Sequence, residues 1–128
     1  MAKKKEQTIA TTEKKVSGNI QDVIVEALLE KMGGKVTVLN LKKINHVFFD
    51  YFVVCTANAK PHADTLCDFV QEKVKKELGV RASFVEGTEN KEWIILDYFN
   101  VIVHIFSPEA REYYNIEQLW SDAEIQQF

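Results

Sequence analysis

The feature that most constrains this fold is the stretch from residue 92 to residue 106, where two short apolar runs are separated by four residues. The runs span residues 93–96 and 101–106. Short runs rich in β-branched and aromatic residues are typical of strands, and the short gap predicts a hairpin. Asn100 adopts the left-handed backbone of such a turn more readily than Phe99, so we expect Asn100 to occupy that position. Because both runs are almost continuously apolar, we expect both faces of the hairpin to be covered.

The rest of the chain shows the patterns of helices and strands. The predicted elements are a helix from Asn19 to Gly33-Gly34, strands at 35–41 and 48–56, a helix from about Asn58 to Gly79, a strand at 80–85, and a final helical segment that starts at Ser107 and is split at Asn115. The strand–helix–strand unit across residues 50–85 predicts a right-handed parallel crossover. The hairpin adds antiparallel pairing. We therefore expect a five-stranded mixed sheet flanked by helices, in the α/β (α+β) class.

Charge is distributed unevenly along the 128 residues, whose net charge is −3. Residues 1–18 contain five lysines and two glutamates, a charge of +3, which leaves −6 for the rest. We expect residues 1–18 to form a flexible basic arm and residues 19–128 to form one folded domain. From Phe84 onwards, two basic residues face nine acidic ones. Such a surface repels nucleic acid and suits a basic protein partner, although a solvated acidic face explains it equally well.

The composition gives no sign of a membrane or secreted protein. No apolar run approaches the ~18 residues of a membrane span, and the N-terminus lacks the apolar segment of a signal peptide. Cys55 and Cys67 lie in apolar contexts, so we expect them to be reduced and buried, as in a cytoplasmic protein.

Motifs for catalysis are absent from the sequence. It has no glycine-rich phosphate loop, no nucleophile elbow and no closely spaced metal ligands. We therefore expect no enzyme activity, no cofactor and no metal. One pair invites attention, because His104 could meet Asp97 across the hairpin as a base and its orienting group. The alternative is a partly buried histidine that is satisfied by another neighbour.

Features of a binding surface are more evident. Trp93 and Tyr98 flank Asp97, and tryptophan and tyrosine are residue types that anchor protein interfaces. Strand alternation places Trp93, Ile95 and Asp97 on one face and Tyr98 on the other. From the pattern alone, Trp93 and Tyr98 are equally explained as interface anchors or as large core residues.

Several of these residues also occur in an ordered set that resembles a known family. The set comprises Asp50-Tyr51-Phe52-Val53-Val54, Glu86-Gly87, Trp93-Ile94-Ile95-Leu96-Asp97-Tyr98, Val101-Ile102-Val103-His104-Ile105-Phe106, Arg111-Glu112-Tyr113-Tyr114 and Leu119-Trp120. It resembles the Iojap family of ribosomal silencing factors from about residue 20 to residue 123. The resemblance implies a nucleotidyltransferase-like fold without the catalytic motif. The sequence departs from the family pattern where Phe99 replaces the usual glycine of the hairpin turn.

The resemblance also implies a function. Family members bind the large ribosomal subunit through ribosomal protein L-fourteen, near rRNA, block subunit joining and repress translation when nutrients are scarce. The partner-binding residues that follow for this chain are Glu86, Trp93, Asp97, Tyr98, Phe99 and Asn100. Two rival functions are a small nucleotidyltransferase-like enzyme, which would bind nucleotide or metal, and an RNA-binding module, which would need a basic stripe. A homodimer could use the same apolar patch when no partner is present.

Overall fold

A computed structural model describes residues 19–128 as six strands and four helices. The predicted basic arm, residues 1–18, lies outside the described residues. In chain order the elements are α1 (Ile20–Glu30), β1 (Gly34–Asn40), β2 (Tyr51–Thr56), α2 (Lys60–Leu78), β3 (Phe84–Glu86), β4 (Trp93–Asp97), β5 (Val101–Phe106), α3 (Pro108–Tyr114), α4 (Ile116–Leu119) and β6 (Glu124–Gln127).

The six strands form one mixed sheet in the order β3-β4-β5-β2-β1-β6. Strands β2 and β5 run parallel, while the other four neighbouring pairs are antiparallel. The mixed sheet and the fold class are as predicted, but the strand count is six rather than five. The missed strand is β6, whose four residues are all exposed at the sheet edge and include one apolar side chain, Ile125. An exposed edge strand of this composition leaves no alternating pattern to detect.

The parallel crossover joins different strands from those predicted. Strand β2 pairs in parallel with β5, and β3 pairs instead with β4 at the far edge of the sheet. The predicted strand at 80–85 shortens to three exposed residues, Phe84–Glu86. The partner of each strand is decided by contacts between segments that are distant in the sequence, and the local pattern does not encode these contacts.

Both faces of β5 are buried, as its apolar run predicted, whereas β4 is fully buried on one face only, so the prediction that both faces of the hairpin are covered holds for one of its two strands. Helices α1 and α2 cover one face, where they pack on residues such as Val53, Ile94 and Val103. The other face packs against α3, α4 and the segment between β1 and β2, around Phe52, Phe106 and Ile116. All six residues of β5 are buried, which is the pattern of a strand covered on both sides.

Element ends follow the expected signals with two exceptions. Gly79 ends α2 with a φ of 70°, Ser107 caps α3 by accepting a hydrogen bond from the amide of Ala110, and Asn115 separates α3 from α4 with a φ of 46°. Strand β2, however, begins at Tyr51, so Phe48 lies before the strand and is 92% exposed. Helix α1 ends at Glu30, and it is Met32, rather than a glycine, that adopts a positive φ of 64°.

Candidate partner-binding surface

Strands β3 and β4 leave one side of the sheet open to solvent. Their register places Phe84 opposite Asp97 and Glu86 opposite Ile95, and paired residues of antiparallel strands share a face. Helix α3 packs on β5 on this side, and all three residues of β3 are exposed. Phe84 is 61% exposed, and Glu86 is exposed as well. We call the outward side chains of Phe84, Glu86, Trp93, Ile95 and Asp97 the β3–β4 face.

Gly87 allows the chain to turn from β3 towards β4. Its φ is 85°, and a Cβ added there would lie 2.0 Å from the carbonyl oxygen of Trp93. The amide of Lys91 donates a hydrogen bond to the carbonyl oxygen of Gly87 and closes the loop. Glycine is therefore required at this position for both its conformation and its lack of a side chain.

Trp93 is half-buried and belongs to both the core and the surface. Its ring lies 5.0 Å from that of Phe106 and 4.6 Å from that of Tyr114, measured between centroids. Its indole Nε1–H donates a hydrogen bond of 3.0 Å to Nδ1 of His104. Trp93 therefore packs on core side chains while part of its side chain stays exposed, and its role as an interface anchor stays a prediction.

His104 is a buried residue that Trp93, and not Asp97, satisfies. The register sets His104 opposite Ile95, and Asp97 lies opposite Ile102. His104 is 5% exposed, and burial lowers its pKa to about 4. The predicted pairing of His104 with Asp97 is therefore wrong, and the alternative of a histidine bonded to another neighbour is correct for Nδ1.

Tyr98 is a core residue and contributes nothing to the β3–β4 face. It is 4% exposed and packs in the cluster beneath α1 and α2. Burial raises the pKa of its phenol to about 12. Strand alternation explains this placement, because it directs Tyr98 to the face opposite Trp93 and Asp97.

The turn between β4 and β5 puts the positive φ on Phe99, contrary to the prediction for Asn100. Phe99 has a φ of 78°, and the amide of Asn100 donates to the carbonyl oxygen of Tyr98, which is the pattern of a γ-turn. The Asp97 carboxylate accepts a hydrogen bond of 2.7 Å from the Phe99 amide. The side-chain amide of Asn100 donates to the carboxylate of Asp50 across 3.0 Å. The side chain of Phe99 is 83% exposed.

A cleft lies beside α3, and its polar side chains bond to one another. The cleft has a volume of about 910 Å³ and is lined by residues that include Gly34, Thr56 and Arg111. The Arg111 guanidinium donates to the carbonyl oxygen of Lys35 and to the hydroxyls of Thr56 and Thr37, and it pairs with Glu117. This arginine fastens α3 to the sheet and is not presented to a ligand.

Residues 19–128 contain no group of three His, Cys, Asp or Glu side chains placed to hold a metal ion. None of the helices in this range combines the length and apolar character that a bilayer crossing requires.

Cys55 and Cys67 are free and buried, and burial raises the pKa of Cys55 to about 12 and that of Cys67 to about 11.

Comparison with known proteins decides the family. A family model described as "Ribosomal silencing factor during starvation" matches residues 14–128. The chain belongs to this family. A ribosomal silencing factor from Halalkalibacterium halodurans is 34% identical over 99 residues, which cover 77% of this chain and 83% of the relative. A crystal structure of a protein from Chromobacterium violaceum matches with a TM-score of 0.74 at 34% identity, covering 80% of this chain and 83% of that one.

A more distant relative comes from mouse and is named "Mitochondrial assembly of ribosomal large subunit protein 1". It is 25% identical over 103 residues, which cover 78% of this chain and 44% of the mouse protein. Membership of the silencing-factor family gives this chain a ribosome-associated role in the regulation of translation. Iojap proteins are among the relatives, so the resemblance stated from the motifs is confirmed.

Sequence reasoning missed two residues of the β3–β4 face, Phe84 and Ile95. Alternation along β4 places Ile95 beside Trp93 and Asp97, so that signal was available. Phe84 carried no comparable signal, because its exposure depends on β3 lying at the edge of the sheet.

Proposed function

We propose that this protein binds the large ribosomal subunit through its β3–β4 face, with ribosomal protein L-fourteen as the direct partner. Bound there, it blocks joining of the small subunit and represses translation when nutrients are scarce. The site of action is the cytoplasm. Family membership supports the ribosomal role, and the name of the mouse relative supports the choice of the large subunit.

The observation that carries the proposal is a sheet surface on which apolar residues and carboxylates alternate. Across the β3–β4 register, Phe84 lies opposite Asp97 and Glu86 lies opposite Ile95. Phe84 is 61% exposed, whereas Ile95 is partly buried against the core. Apolar surface bordered by polar residues is a feature of interaction sites. All three residues of β3 are exposed, so this edge of the face is available to a partner.

The negative charge of the β3–β4 face favours a basic partner. Proteins that bind rRNA must neutralise phosphates and are therefore rich in lysine and arginine. Glu86 and Asp97 would pair with such side chains, Trp93 and Phe99 would supply apolar contacts, and Asn100 would hold the turn in place. Bare rRNA phosphates would be repelled by the same carboxylates. The proposal therefore assigns the contact to a ribosomal protein.

Co-sedimentation with separate large and small subunits tests this proposal. We expect the wild-type chain to sediment with the large subunit alone. Glu86→Lys reverses an exposed charge and Phe84→Ser removes an exposed apolar group, and each should weaken binding about tenfold or more, which corresponds to about 1.4 kcal/mol. Glu72→Lys is the matched control, since it makes the same charge change on the exposed side of α2, across the sheet.

Two results would contradict the proposal. One is wild-type binding to the small subunit, or to neither subunit. The other is unchanged binding by Glu86→Lys and Phe84→Ser when both variants are folded. Circular dichroism and thermal unfolding of each variant would establish that a loss of binding is not a loss of fold.

A further inference from the structure

Three exposed phenylalanines lie at one end of the sheet. Phe48, Phe84 and Phe99 are 92%, 61% and 83% exposed. Phe84 is paired with Asp97, and Phe99 follows two residues later in the turn. The same turn is bonded through Asn100 to Asp50, which lies two residues after Phe48. We call Phe48, Phe84 and Phe99 the phenylalanine end, and their exposure has an unfavourable hydration free energy in the unbound protein.

The backbone at Phe99 makes this exposure more unusual. A bulky side chain at a φ of 78° is unfavourable, and a γ-turn of this hand is a strained conformation. Two hydrogen bonds hold the turn in place, one that the Phe99 amide donates to the Asp97 carboxylate and one that the Asn100 side chain donates to the Asp50 carboxylate. The structure thus fixes a strained turn whose side chain makes little contact with its own fold. Because the backbone that carries this side chain is already fixed, little backbone freedom is lost when the side chain meets a partner.

We infer that the phenylalanine end inserts into an apolar cleft on a basic protein surface, with Phe99 as a preorganised anchor. The inference rests on the proposed function, and the partner is the same large-subunit protein. It goes further in joining Phe48, which comes from a separate loop, to the binding surface. It also predicts that binding and stability change in opposite directions at Phe99.

Charge favours a basic partner over a second copy of this chain. Asp50, Asp97 and Glu86 accompany the phenylalanines, and a symmetric contact between two copies would place these carboxylates near one another. The lysines nearest to Phe48 in the sequence are engaged elsewhere. Lys43 pairs with Glu124, and Lys42 lies over the ring of Tyr51.

The decisive variant is Phe99→Gly, which removes the anchor and relieves the backbone at the same time. We expect binding to the large subunit to weaken at least tenfold, while the melting temperature stays the same or rises by about 2–4 °C. Phe99→Leu keeps an apolar side chain on the turn and should bind within about threefold of wild type. Phe48→Ser should weaken binding without lowering the melting temperature, because Phe48 is almost fully exposed.

Met32→Gly is a matched control for Phe99→Gly. Met32 also has a positive φ, of 64°, and an exposed side chain, at 81%. It lies just before Gly34, and Gly34 pairs with Thr56 at the opposite end of the sheet. We expect Met32→Gly to leave binding unchanged.

Binding of Phe99→Gly within twofold of wild type would overturn the inference. The inference would also be overturned if Phe99→Gly lost self-association but kept subunit binding, because the surface would then bind a second copy of this chain. If Glu86→Lys loses binding while Phe99→Gly retains it, the inference fails and the proposed function stands. Absence of wild-type binding would overturn both.

Discussion

The indole of Trp93 donates its N–H to Nδ1 of His104 across 3.0 Å, and this bond determines where the imidazole proton resides. Because Nδ1 accepts, the neutral ring carries its proton on Nε2. That nitrogen is buried without a hydrogen-bond partner among residues 19–128. A buried histidine links the proposed interface to the core and must stay neutral to do so.

Stability should fall in acid because of His104. Its pKa is about 4 when folded, against about 6.5 for an unperturbed histidine, so the unfolded chain takes up a proton first. The stabilising contribution is complete above about pH 6.5 and is lost progressively as the pH falls towards 4, to a limit of about 3 kcal/mol. Urea unfolding measured between pH 4 and pH 7.5 would reveal it.

His104→Gln isolates this contribution, since its amide oxygen can accept from the indole and does not titrate. We expect the unfolding free energy of this variant to depend less on pH below 6.5 than that of wild type. His46→Gln, at an exposed histidine, should keep the wild-type dependence. Equal pH dependence in His104→Gln and wild type would contradict the assignment.

Arg111 should contribute more to stability than any exposed ion pair. Its side chain is 10% exposed and donates to three acceptors on β1 and β2 besides pairing with Glu117. Arg111→Ala removes the cation that pairs with Glu117 and the donors that join α3 to β1 and β2, and it should lower the unfolding free energy by about 3 kcal/mol. Lys43→Ala breaks a pair whose side chains are 84% and 65% exposed, and it should change the unfolding free energy by less than about 1 kcal/mol. Similar losses in the two variants would contradict this ranking.

The elements that the sequence predicted best are those with strong local signals. The uninterrupted apolar run of β5, the left-handed Gly79 and the Ser107-Pro108 helix start each act within a few residues, and each appears as expected. The Iojap-type motifs likewise placed the chain in its family. Local signals of this kind do not depend on which distant segments meet.

The errors arise where distant pairing decides the outcome. Phe48 continues an apolar run, yet β2 starts three residues later, where the Asp50 and Tyr51 amides both donate to the carbonyl oxygen of Asn100. Phe99 takes the positive φ because the Asp97 carboxylate holds its amide and Asp50 holds Asn100. Those contacts span up to 50 residues of sequence.

Gly87, in the β3–β4 loop, should be harder to replace than Gly79 at the end of α2. Gly87→Ala combines a positive φ with a Cβ only 2.0 Å from the Trp93 carbonyl oxygen, so the strands must shift. We expect the unfolding free energy to fall by about 2–3 kcal/mol and binding to weaken as the β3–β4 face distorts.

Gly79→Ala is the control for this position. Gly79 has a φ of 70°, but a Cβ there would meet nothing within 4 Å. Gly79→Ala therefore introduces backbone strain but no close contact. We expect the unfolding free energy to fall by about 1 kcal/mol and binding to stay unchanged. A smaller loss in Gly87→Ala than in Gly79→Ala would show that the close approach does not matter. Thermal or urea unfolding would measure both.

The central claim is that the β3–β4 face holds the large subunit in a state that cannot join the small one. The most direct test is light scattering from purified subunits as they associate, after the large subunit has been incubated with excess protein. We predict that wild type and Glu72→Lys inhibit joining with the same half-maximal concentration, and that Glu86→Lys needs at least tenfold more protein for half-maximal inhibition. Unimpaired joining at saturating wild-type protein, or an unchanged half-maximal concentration for Glu86→Lys, would contradict the account.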